Sequence, residues 1–95
     1  MRISLDQQRE LYRTHAAAAA DELMVVLQAR LQELIDLGFE RAFDTVGVLE
    51  YGDSTYWKST EQLSEEAAAE LADAIFYLHI PVARAAGDLP APDEH

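Results

Sequence analysis

Apolar side chains recur at steps of three and four residues early in the chain: Tyr12, Ala16, Leu23, Leu27, Leu31 and Leu34. That period puts them on one face of a helix. Leu5 to Leu37 holds no Gly or Pro and is dominated by Ala, Leu, Gln, Glu and Arg, all good helix formers. Unbroken, such a helix is about 50 Å long at ~1.5 Å per residue and needs a partner along much of its length. Gly38 predicts a stop or hinge. Phe39, Ala42, Phe43 and Val46 then give a short second amphipathic stretch, which Gly47 ends.

Residues 48–60 form a connector, with Gly52-Asp53-Ser54 as its turn signal. It carries Tyr51, Tyr56 and Trp57, the single tryptophan. Aromatic residues in a connector cover a core edge or stack on a ligand. The next helix starts at Ser59 or Thr60, and Gln62 stands in the capping-box position three residues after Ser59. Leu71, Ile75, Leu78 and Val82 line one face of it. Phe76 and Ile80 widen the apolar surface, so the helix packs on more than one side. Pro81 lacks a backbone donor and predicts a kink. Gly87 ends the helix.

The expected fold is therefore all-α: a helical bundle with one long N-terminal helix, a short second helix and a kinked C-terminal helix. Residues 1–89 read as one helical domain and residues 90–95 as a frayed acidic tail. A chain of 95 residues gains much from the extra burial of oligomerisation, so a homo-oligomer is expected.

Charge narrows the possible partners. The net charge is −11 and uneven: residues 1–41 hold five basic and seven acidic side chains, and residues 42–95 hold two and eleven. That field repels phosphate backbones and argues against direct nucleic-acid binding. It attracts divalent cations or basic protein surfaces. There is no cysteine for a disulfide or a thiolate site. The run Ala16–Ala20 is too short to span a bilayer, and residues 1–6 lack the apolar stretch of a secretion signal. The expected location is cytoplasmic, with no membrane partner.

Candidate chemistry centres on Glu66, Glu70 and Asp73. At about 100° per residue they fall with Tyr77 inside an arc of roughly 60° on one helix. No Lys or Arg lies between Lys58 and Arg84. Stacked carboxylates repel and raise one another's pKa. The stripe is either a solvated face or a site for Mg²⁺ or Mn²⁺, which take oxygen ligands.

The phrase Glu70-Leu-Ala-Asp73-Ala-Ile-Phe-Tyr77-Leu resembles the ExxD helix of the MazG-like all-α nucleoside triphosphate pyrophosphohydrolases. The preceding Gly47-Val-Leu-Glu50-Tyr51-Gly52-Asp53-Ser54-Thr55-Tyr56 resembles a phrase found before that helix in small phage-type proteins of similar layout. Together they cover residues 47–89. The resemblance implies an oligomeric helical bundle that binds Mg²⁺ through four acidic residues, two from ExxE and two from ExxD, and hydrolyses a nucleoside triphosphate. Glu70 and Asp73 map onto ExxD, and Glu66 is a further ligand candidate on the same helix. The ExxE motif is absent. Its nearest substitutes are Glu33 and Asp36, or Glu40 with Asp44.

For substrate contacts the candidates are Tyr51 and Trp57 stacking on a base, with Lys58, Arg84 and Arg41 as phosphate contacts or plain surface charges. No catalytic residue is identifiable. His15, His79 and His95 are isolated, and His79 reads as a core-edge residue. Two functions stay open. One is Mg²⁺-dependent nucleotide hydrolysis or binding. The other is a non-catalytic acidic helical protein, such as a phage-encoded one, that binds a basic surface of a host protein.

Overall fold

In the computed structural model, which describes residues 3–44 and 52–92, both long helices open on the same device. Helix α1 spans Leu5–Ala29. Ahead of it the Ser4 N–H donates to Gln7 Oε1 at 2.9 Å and the Gln7 N–H donates to Ser4 Oγ at 3.1 Å. The C-terminal helix, Thr60–Ala85, opens identically, with Ser59 N–H on Gln62 Oε1 at 2.9 Å and Gln62 N–H on Ser59 Oγ at 3.1 Å. Each box satisfies two backbone or near-backbone donors that a helix start leaves orphaned. The second box is the one expected from the sequence, with Ser59 rather than Thr60 as the cap.

The expected single helix over Leu5–Leu37 is instead two. Helix α2 spans Leu31–Phe39, and Arg30, at φ −122° and ψ 27°, interrupts the helical backbone between it and α1. The hydrogen-bond ladder persists across the break: Arg30 N–H reaches the Val26 carbonyl at 3.0 Å, and Leu34 N–H reaches that of Arg30 at 2.9 Å. Gly38 is not a stop. It lies inside α2, where a Cβ would meet nothing within 4 Å, so its missing side chain answers no packing demand. The chain continues into a π-helical segment, Glu40–Asp44, in which the rings of Phe39 and Phe43 lie 4.9 Å apart. Val46 and Gly47 fall outside the described residues. A 3₁₀ turn, Ser54–Trp57, precedes the C-terminal helix, here called α3.

Helix α3 runs through Pro81 without ending. The ring deprives the Tyr77 carbonyl of its ladder partner, and Tyr77 is exposed enough for water to replace it. Gly87, at φ 84°, ends the helix. The Asp88 N–H bonds the Ala83 carbonyl at 3.0 Å and the Gly87 N–H that of Arg84 at 3.1 Å. That pairing is a Schellman stop, which needs the left-handed conformation glycine adopts freely.

The described residues are helical with no strand, and they form two compact units. One comprises the chain up to Val25 and the chain from Glu70 onward. Its fully buried apolar residues are Ala19 and Ala83, accompanied by the buried imidazoles of His15 and His79. His15 Nε2 lies 2.8 Å from Asp88 Oδ2, which fastens the residue after the Schellman stop to α1. Tyr12 stands edge-on to His79 at 5.2 Å and tilted to Phe76 at 6.1 Å. The other unit is Val26–Ala69. No described residue in it is buried, and only Val26, Leu34 and Ala42 are half-buried.

A core of alanines has no room for larger side chains. Ala83→Leu should destabilise the protein by about 1–3 kcal/mol in urea unfolding, the usual cost of overpacking. Ala68→Leu, on the exposed part of α3, is the control and should leave the midpoint nearly unchanged.

Candidate functional site

The carboxylate stripe of α3 is exposed: Glu66, Glu70, Asp73 and Tyr77 all face solvent. Glu66 is neutralised locally. Lys58 sits just before the capping box with an extended backbone, ψ 150°, and its Nζ reaches Glu66 Oε1 at 2.7 Å. A cation eight residues away thus does what no residue within the helix does. Glu70 and Asp73 have no ion pair among the described residues.

The substitutes for ExxE lie in Val26–Ala69. Arg30 holds Glu33 in a two-pronged grip, Nε to Oε2 at 3.0 Å and Nη2 to Oε1 at 2.7 Å. The hydrogen bond from Arg30, and then its charge, hold the Glu33 carboxyl below the usual carboxylate range. Asp36 accepts from Gln32 Nε2 at 2.9 Å. Glu33, Asp36 and Glu40 line one shallow cleft with Leu37. Nevertheless, among the described residues no three His, Asp or Glu side chains stand together closely enough to hold a metal ion.

The proposed substrate contacts are scattered. Trp57 is 80% exposed and its indole N–H donates to Asp53 Oδ2 at 3.1 Å. Tyr56 is exposed as well, so these two aromatics cover no core edge. Tyr51 lies outside the described residues, as does His95. Lys58 is committed to Glu66. Arg84, in the last turn of α3, stands where a cation suits the helix dipole.

Arg84 also lines a cavity of about 350 Å³ in the unit built from the chain's two ends, with Leu11, Phe76, His79, Ile80 and Leu89. The sequence singled out Arg84 and His79 separately, and nothing in their spacing indicated that Leu11 and Leu89 would join them. No described helix is long and apolar enough to cross a membrane. Comparison with protein-family models, with curated proteins and with solved structures finds no match.

The Arg30–Glu33 fork has a pH signature. Its folded-state pKa is depressed, so its contribution is present above the unfolded value and is lost as pH falls through the lowered folded value. Arg30→Gln should return the Glu33 midpoint, followed by its carboxyl carbon resonance, to the ordinary carboxylate range. Identical midpoints in the two proteins would show that the fork does not form in solution.

Proposed function

We propose that the chain is a non-catalytic acidic helical protein that acts by association, completing its packing on other protein surfaces. One observation carries this reading: Val26–Ala69 contains no buried residue among those described, although it is rich in large apolar side chains. Leu31, Ile35 and Phe39 follow one another at steps of four along one side of α2, and Ile35 and Phe39 are 56% and 61% exposed. Apolar stripes of that kind mark interaction surfaces. A second copy of the chain is the first candidate to cover them. Helix α3 adds a different surface, with five acidic side chains against one basic. It suits a basic protein partner.

Light scattering of the wild type should give a dimer or larger mass at micromolar concentration, and Ile35→Glu should shift it towards monomer. A monomer mass for the wild type overturns the self-association part. For the acidic surface, the association rate with a basic partner should fall steeply with added salt, because exposed charges are screened within about 8–10 Å at physiological ionic strength. A partner whose binding is indifferent to salt would remove that role.

The pyrophosphohydrolase-like reading keeps one supporting observation: Glu70 and Asp73, the pair that matches ExxD, are exposed and carry no ion pair among the described residues. The remaining ligands would have to come from a second copy. If they do, Mn²⁺ should raise the melting temperature, since a ligand of the native state stabilises it. Asp73→Asn should abolish that shift together with triphosphate hydrolysis. Equal shifts in wild type and Asp73→Asn would remove Asp73 from any site, and no shift in either would leave association as the function.

A further inference from the structure

We infer that the cavity lined by Leu11, Phe76, His79, Ile80, Arg84 and Leu89 is a binding site for a small hydroxyaryl carboxylic acid. Three features of the cavity select that chemistry, and none of them depends on the association reading.

The first is the imidazole of His79 in the cavity wall. His79 is buried, and its Nδ1 contacts the Phe76 carbonyl. A carbonyl only accepts, so Nδ1 carries the hydrogen and the neutral ring presents Nε2 as an acceptor. Nε2 has no protein partner among the described residues. Among the described residues no buried side-chain polar atom lacks a partner, so Nε2 is not sealed away. His79 lines the cavity, so a ligand held there lies beside its ring. A ligand hydroxyl there supplies the donor that the protein does not.

The second is a cation. Arg84 has no ion pair among the described residues, in a chain with net charge −11. Its guanidinium can take both oxygens of a carboxylate. The other polar wall residue, Gln8, gives its side-chain N–H to the Ile3 carbonyl at 3.1 Å. The third is size and lining. A volume of about 350 Å³ stands at the low end of ligand pockets, roughly 300–1,000 Å³, and is ample for a single-ring acid. Apart from Gln8, His79 and Arg84 the walls are apolar, and Phe76 adds an aromatic side chain to them.

The test is a titration of the full chain with para-hydroxyphenylpropionate, followed by amide and methyl resonances. Saturable shifts at Leu11, Phe76, Ile80 and Leu89 are expected. Arg84 is exposed, so Arg84→Gln should fold normally and weaken binding about tenfold, the usual effect of losing one charge-assisted contact. Phenylpropionate, which lacks the hydroxyl, should also bind several-fold more weakly. Ile80→Trp, which fills the cavity, should abolish the shifts while the circular dichroism spectrum is kept. Absence of saturable shifts at these residues overturns the site. Equal binding to wild type and Arg84→Gln overturns the carboxylate end, and equal binding of the two acids overturns the hydroxyl end.

Discussion

Among the described residues the two fully buried apolar side chains, Ala19 on α1 and Ala83 on α3, are the smallest that a core can use, and no large side chain is fully buried. Small side chains let helices approach closely, because interaxial distance follows the residues at the contact. They hide little apolar surface in return. Burial is worth about 0.8 kcal/mol per methylene, against roughly 1.5–3 kcal/mol for a whole leucine or phenylalanine. Much of what holds this unit together is therefore directional: the reciprocal cap of Ser4 and Gln7, a Schellman stop, the His15–Asp88 pair and the ring contacts of Tyr12, Phe76 and His79. The larger apolar side chains, Leu71 and Phe76 among them, remain half exposed. An alanine core thus leaves apolar surface on this unit, where the ligand cavity lies.

Features encoded within one helical turn were legible in the sequence. The Ser59–Gln62 box needs only residues three apart, and the stop at Gly87 needs only a residue tolerant of positive φ. The helical character of the chain follows from composition and period. The break at Arg30 was not legible, since every residue around it favours helix and nothing local marks the position. Gly38 misled for the opposite reason. Glycine permits a helix to end without requiring it, and the residues after it are good enough helix formers to carry on. Glu66, Glu70 and Asp73 are exposed, as is every residue of α3 from Thr60 to Asp73. The neutralisation of Glu66 was not foreseen, because Lys58 lies eight residues away and reaches over only from an extended backbone. Whether carboxylates converge depends on which helices face one another, and spacing along one helix does not contain that information.

Local pairing also decides what the protein presents to its surroundings. Arg9, Arg13, Arg30 and Lys58 each lie beside a carboxylate of their own segment, on Asp6, Glu10, Glu33 and Glu66. Exposed pairs of this kind contribute little to stability. They do cancel much of the positive field. Glu61, Glu65, Glu70 and Asp73 are left on α3 with no cation paired to them among the described residues. In the association reading this division separates two stages of binding. Unpaired acids act at a distance, before contact, and set the rate at which a basic surface is met. The stripe of Leu31, Ile35 and Phe39 acts after contact, once water is expelled, and sets how long the complex lasts. An acidic face without an apolar one would give fast and short-lived encounters. An apolar face alone would bind slowly and with little selectivity, so the association reading requires the two surfaces to act in sequence.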